Sequence, residues 1–251
     1  MDLGLADRVF LVTGGARGLG RATADVLVAE GARVVLSGRT DGSLAAAADA
    51  LGDHASYVVA DNADPDTPAR LIAEAHARWG RLDGALVSVG GPPTGTVATV
   101  TDAQWTTSFA SVFLGAVRVT REVSAALGEG GSLALVLSSS VRAPLPGMAV
   151  SNGLRPGLAM LTKELADELG PRGIRVNGLL PGRVATERVA ELDALADDPA
   201  AAKAASLRTI PLGRYGEPSE FGRAAAFLLS PAASFLTGVM LPVDGGMTRA
   251  L

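Results

Sequence analysis

Val9-Phe10-Leu11-Val12-Thr13-Gly14-Gly15-Ala16-Arg17-Gly18-Leu19-Gly20 is the stretch on which the fold turns. Its first four residues are apolar without alternation, as a strand covered on both faces requires. Glycines then break the strand, and helical spacing sets in through Leu19, Thr23, Val26 and Leu27 until Gly31 stops it. In such a strand-turn-helix unit, Gly14 permits a tight turn, Gly18 lets backbone approach a pyrophosphate, and Gly20 lets the helix pack close to the strand. The first helical amides then face the phosphates. Three glycines could merely join a strand to a helix, but this context predicts dinucleotide binding, with Gly14, Arg17, Gly18, Leu19 and Gly20 around the nucleotide.

Working outward, short β-branched or leucine-rich runs recur at 9–13, 33–37, 56–60, 85–89, 133–138, 174–179 and 239–243, with helix-prone stretches between them. Pro65 marks the start of one helix, running to Trp79. Alternation of strand and helix with right-handed crossovers predicts an α/β, Rossmann-like, doubly wound sheet of seven mostly parallel strands with helices on both faces. Ligands of such a sheet sit outside the carboxyl ends of its strands. No linker-like break divides the chain, so residues 1–251 are expected to form one dinucleotide-binding domain. The alanine-rich segment at about 184–210 reads either as a lid over the substrate or as an ordinary pair of packing helices.

Composition narrows the function. A net charge of −4 with scattered lysines and arginines offers no face for a phosphate backbone, so nucleic acid is not expected as a partner. The absence of cysteine removes thiolate catalysis and zinc-thiolate sites, and no histidine and carboxylate cluster has metal-ligand spacing. No apolar run is long enough for a membrane span, and the first ten residues lack a secretory pattern, which together predict a cytoplasmic protein with no membrane partner.

The end of the second strand reads Leu36-Ser37-Gly38-Arg39. A carboxylate there would bind a ribose diol and repel a 2′-phosphate. None is present, and Arg39 with Arg17 could reach that phosphate beside Ser37, so NADP(H) is the expected cofactor. The alternative is two solvated surface arginines.

Order and spacing over essentially the whole chain resemble the short-chain dehydrogenase/reductase family. Asp61-Asn62 looks like its adenine-side acidic pair. Residues 177–182, including Pro181 and Gly182, with Val184 and Thr186 look like its nicotinamide-side segment, in which Thr186 would hold the carboxamide. The ending Leu241-Pro242-Val243-Asp244-Gly245-Gly246 is similar to the family's last strand and its contact region in tetramers, so the resemblance implies a homo-oligomer, dimer or tetramer.

At the catalytic positions the resemblance fails. Anchored on Leu161-Thr162-Lys163 and Ile174-Arg175-Val176-Asn177, the family's Tyr-x-x-x-Lys pair falls on Ser151 and Arg155. Its serine falls on Ser138 and is retained. Its helix asparagine falls on Val112, and its Asn-Asn-Ala-Gly motif is replaced by Ser88-Val89-Gly90-Gly91, where Gly90 keeps only backbone contacts. A serine hydroxyl cannot replace a phenol as general acid, and a guanidinium stays protonated. Arg155 could still hold a ribose hydroxyl. The remaining tyrosines are Tyr57 and Tyr215, of which Tyr215 is less remote, and neither His54 nor His76 is placed to activate a serine nucleophile. Ser138 could instead satisfy a strand end and Ser151 could be a helix N-cap. Glu187, Glu191 and Asp193 read as a solvated helix face.

Three functions follow, in order. The first is an NADP(H)-dependent oxidoreductase of a small-molecule carbonyl or alcohol, with Ser138, Ser151 and Arg155 as its atypical catalytic set. The second is a redox-silent lyase, isomerase or cyclase on the same scaffold. The third is a noncatalytic nucleotide-binding subunit.

Overall fold

A computed structural model describes residues 2–249, so the first residue and the last two of the expected domain lie outside the described residues. Strand β1 (Val9–Thr13) is wholly buried, and its alternation is spatial rather than chemical. Val9 and Leu11 enter the core on one face of the sheet, while Phe10 and Val12 enter the core on the other. Both sides need apolar residues, which is why the run shows no polar position.

The chain leaves β1 through helix α1 (Gly18–Ala29) to β2 (Arg33–Gly38), then through α2 (Asp41–Leu51) to β3 (Ala55–Val59). Helix α3 (Thr67–Trp79) carries it back across the sheet to β4 (Gly84–Val87). A long helical rod follows, made of α4 (Asp102–Ser108), a π-helical segment at Phe109–Leu114, and α5 (Gly115–Ala126). Strand β5 (Ser132–Val136), the 21-residue helix α6 (Ala149–Leu169) and β6 (Arg175–Pro181) come next. Two short helices, α7 (Glu187–Asp193) and α8 (Pro199–Arg208), precede α9 (Pro218–Leu229) and β7 (Met240–Val243).

All seven strands pair in parallel, in the order β3-β2-β1-β4-β5-β6-β7. Strand order reverses between β1 and β4, and there the helices leave the strand ends in opposite directions, opening a crevice for a ligand. One core packs α3, α5 and α6 against the sheet through Leu71, Val119 and Leu158; the other packs α1, α2 and α9 through Leu27, Leu44 and Phe221. Each such fully buried side chain contributes roughly 1.5–3 kcal/mol, so both faces are firmly held beneath the crevice.

The seven expected strands are present, with ends moved by a residue or two. Strand β4 stops at Val87 because the Ser88 amide is taken by the Thr13 hydroxyl at 2.8 Å. Helix α3 starts at Thr67 rather than Pro65, since Asp61, Asp64 and Thr67 close a tight turn: the Thr67 hydroxyl donates to the Asp61 carbonyl at 2.6 Å, and Pro68 takes the proline-tolerant first turn. The segment expected at 184–210 is the α7–α8 pair. Among the described residues no helix is long and apolar enough to cross a membrane.

Candidate active site

The glycine loop is fixed from beneath. Thr13 donates through its hydroxyl to the Ser88 carbonyl at 2.6 Å, which ties the ends of β1 and β4 together, and the Gly15 amide donates to the Ser37 carbonyl at 3.0 Å. Gly14 and Gly18 have φ of 61° and 58°, a region that costs a side-chain-bearing residue energy. A Cβ at Gly20 would collide with the Gly14 carbonyl. Arg17 is the extended N-cap of α1, and the first turn, Gly18, Leu19 and Gly20, carries no acidic residue to compete for its amides.

Around this loop lie the other strand ends. Arg39 is exposed just beyond β2, followed by the N-cap Thr40 of α2, while Ser37 is buried with its hydroxyl unpartnered. Asp61 uses one carboxylate oxygen to accept the Ala63 amide at 2.9 Å, and Asn62 backs onto Gly115 of α5. A Cβ at Gly90 would meet nothing within 4 Å, so the chain after β4 leaves open space. On the far side, Gly182 rests on Asp244, Val184 is buried in a bridge to Gly216, and Thr186 is the N-cap of α7, its hydroxyl accepting the Val189 amide at 3.4 Å. Thr186 and Glu187 are the nearest neighbours of a Cβ placed at Gly18, so the segment after Pro181 returns over the glycine loop.

The three expected catalytic residues converge past the end of β5. The Ser138 hydroxyl accepts the Ser140 amide at 3.1 Å, capping a tight turn and leaving its own proton available to a second partner. Ser151 is not a helix N-cap. That position is Met148, and Ser151 lies inside the first turn of α6, buried, with its hydroxyl 3.2 Å from that of Ser140. Asn152 takes the loop-fixing role, its amide group bonding the Leu145 main chain in both directions at 3.0 and 2.9 Å. Arg155, one turn after Ser151, is buried and donates to the Val136 carbonyl at 2.6 Å. Burial pushes its guanidinium down to about 10, still protonated at neutral pH. Val112 is buried in the π-helical segment against Val150 and Leu154, which makes this wall of the site apolar.

Of the acidic residues of α7, Glu187 and Glu191 are exposed, as a solvated face requires, while Asp193 is partly buried. Glu191 pairs with Arg17 at 3.4 Å and with Arg188 at 3.5 Å, and Arg188 donates to the Pro92 carbonyl at 2.9 Å. Together they span the mouth of the crevice from glycine loop to β4 loop. Asp193 accepts from Arg183 at 3.1 Å and from the Tyr215 hydroxyl at 3.0 Å. Tyr215 therefore fastens α7 to the turn before α9: desolvation, with the bond to Asp193, raises its phenol above the usual value, the wrong direction for an acid catalyst. A cavity of about 550 Å³ lies between α1 and the α7–α8 segment, lined by Gly18, Arg21, Thr186, Glu187, Lys203 and Tyr215 among others. None of these contacts had a local signal in the sequence. Among the described residues no three His, Asp or Glu side chains gather as a metal site.

Residues 14–248 match the family model described as enoyl-(acyl carrier protein) reductase. The 2,5-dichloro-2,5-cyclohexadiene-1,4-diol dehydrogenase of Sphingobium indicum is 34% identical over 248 residues, covering 97% of this chain and 98% of that protein. A short-chain dehydrogenase/reductase of Brucella melitensis, titled a glucose/ribitol dehydrogenase, superposes with a TM-score of 0.92 at 30% identity over the full length of both chains. L-sorbose reductase of Gluconobacter frateurii, solved with NADPH and L-sorbose, superposes equally well, with a TM-score of 0.92 at 27% identity and full coverage of both. On its sequence, its parallel seven-stranded sheet and these likenesses, the chain belongs to the short-chain dehydrogenase/reductase family of oxidoreductases.

Proposed function

We propose that the protein is an NADP(H)-dependent oxidoreductase of a carbonyl or alcohol substrate, with an atypical active site in which Ser151 and Arg155 stand where the family has tyrosine and lysine. The family's nicotinamide cofactors suit the residues present: left-handed glycines, a glycine-to-carbonyl approach too close for a side chain, and an acid-free first turn of α1 form a cradle for a pyrophosphate. The observation that carries the choice of NADP(H) is the end of β2, where no carboxylate stands at Ser37, Gly38 or position 39 and the exposed Arg39 offers a 2′-phosphate a cation. Arg17 can add a second cation once it exchanges Glu191 for phosphate. Ser37, Asp61, Asn62, Gly90, Arg155, Pro181, Gly182, Val184 and Thr186 complete the proposed cofactor contacts.

When bound, the nicotinamide gives or takes the hydride. The chain's own residues must hold the substrate oxygen and move its proton. Ser138, whose oxygen accepts the Ser140 amide while its own proton is not used by that bond, donates to the substrate oxygen. The buried Ser140 and Ser151 hydroxyls, 3.2 Å apart, are close enough to pass a proton between them, and the Arg155 charge steadies negative charge developing on oxygen. Without a phenol, turnover is expected to be slow. The cyclic diol named for the Sphingobium relative and the sugar named for the Gluconobacter enzyme make secondary alcohols and their ketones the first compounds to try. Assembly into a homodimer or tetramer belongs to the same proposal.

Titration with NADPH and NADH tests the reading, alongside Arg39→Asp and Gly38→Asp. A Cβ at Gly38 approaches Leu44 no closer than 3.6 Å, so the aspartate fits the backbone. Either substitution is expected to weaken NADPH at least about tenfold, in keeping with ~1.5–3 kcal/mol for a charge-assisted bond, while sparing NADH. Equal affinity of the wild-type protein for both nucleotides would remove the NADP(H) assignment. A redox-silent reaction is the second reading, favoured by Tyr57 and Tyr215 both being engaged away from the serines. Substrate turnover without matching nucleotide oxidation or reduction would establish it in place of the first.

A further inference from the structure

Arg155 and Arg175 are both buried, and they differ in what answers their charge. Arg175 donates to the carbonyls of Leu228 at 2.7 Å, Ser230 at 2.9 Å, and Leu229 and Leu236 at 3.4 Å, by the carboxyl end of α9, where partial negative charge collects. Arg155 is 5% exposed and, among the described residues, has the Val136 carbonyl as its one hydrogen-bond partner and no carboxylate in ion-pair reach. A guanidinium has five N–H donors, so about four stay unused. Nε and Nη2 have no hydrogen-bond partner among the described residues, and the residue keeps 5% of its surface exposed.

Two further features add positive potential at the same place. Arg155 lies in the second turn of α6, near the positive end of a long helix whose first turn holds no acidic residue. Ser151 is four residues earlier and shares its face of the helix, so the Ser151 and Ser140 hydroxyls, 3.2 Å apart, sit beside the guanidinium's approach. An uncompensated buried cation is costly, and what relieves it is an anion with flat, paired acceptors.

We propose that Arg155, with the Ser140 and Ser151 hydroxyls, seats a carboxylate carried by the substrate, so that the compound acted on is a keto or hydroxy acid. The choice of reacting group rests on the oxidoreductase reading, whereas the seat itself does not need the nucleotide. A carboxylate takes two parallel N–H bonds from one edge of the guanidinium and neutralises it. A ribose diol or ketone oxygen offers acceptors but leaves the charge unanswered, and the unused donors suffice for a ribose contact as well.

Calorimetric titration of the full chain with benzoate and with its neutral counterpart benzamide, each with and without saturating NADP, tests the seat. Benzoate is expected to bind at least about tenfold more tightly, and Arg155→Gln to abolish that preference. Ser151→Asp supplies a resident carboxylate one turn before Arg155; it is expected to raise the melting temperature and to block benzoate. This second variant decides the matter if Arg155→Gln does not fold. Equal binding of the two probes, no binding of either at about 10 mM, or benzoate binding that survives Ser151→Asp would each overturn the proposal. NADP binding that fails while the benzoate preference stands overturns the cofactor reading alone, and normal NADP binding with no preference overturns the seat alone.

Discussion

A methyl group at Gly20 would run into the Gly14 carbonyl, whereas at Gly90 it would meet no atom within 4 Å. Two alanine substitutions therefore separate a glycine that shapes the loop from one that lines open space. Gly20→Ala is expected to cost about 1–3 kcal/mol in thermal unfolding and to abolish NADPH binding, and Gly90→Ala to stay within about 0.5 kcal/mol. Undiminished nucleotide binding by Gly20→Ala would move the phosphate seat elsewhere.

Helix α7 fastens to its surroundings through charge at one end and a buried-side network at the other. The Arg17–Glu191 pair is exposed on both sides, so it is worth at most about 1 kcal/mol and yields to salt. Because a phosphate must displace Glu191 from Arg17, Glu191→Gln is expected to tighten NADPH by up to about fivefold, with the gain fading at about 0.5 M salt. An unchanged or weaker affinity would mean that Arg17 does not meet the nucleotide. Asp193 anchors the other end to Arg183 and Tyr215. The raised phenol of Tyr215 stays protonated through neutral pH, so Tyr215→Phe is expected to speed proteolysis within residues 184–210 and to leave the pH profile of turnover unmoved. A shifted profile would return Tyr215 to the proton path.

Both faces of one sheet are covered by separate apolar clusters, so damage to either should be felt by the whole chain. Phe221 is fully buried in the α9 layer, and Phe221→Ala is expected to cost about 3–5 kcal/mol. Trp79 packs against the opposite face and Trp105 lies beside the active-site wall, so their fluorescence reports on regions away from Phe221. Fluorescence and circular dichroism should give one coincident unfolding transition, shifted together by Phe221→Ala; two separated transitions would divide the chain into more than one cooperative unit.

The strand-turn-helix at 9–20 and the seven strands were legible from residue order alone. They rest on local spacing, backbone freedom and side-chain chemistry, which act within a few residues. Those rules placed the start of α3 two residues early, at Pro65, because the turn closed by the Thr67 hydroxyl on the Asp61 carbonyl comes before the helix. The tertiary structure alone decided that Glu191 meets Arg17, that Arg188 meets Pro92, and that Arg155 is buried with no carboxylate beside it. The first two contacts join residues 174 and 96 positions apart, and the third is a missing contact. Such pairings depend on how the segment after β6 settles over the crevice, and sequence periodicity carries no term for that long-range packing.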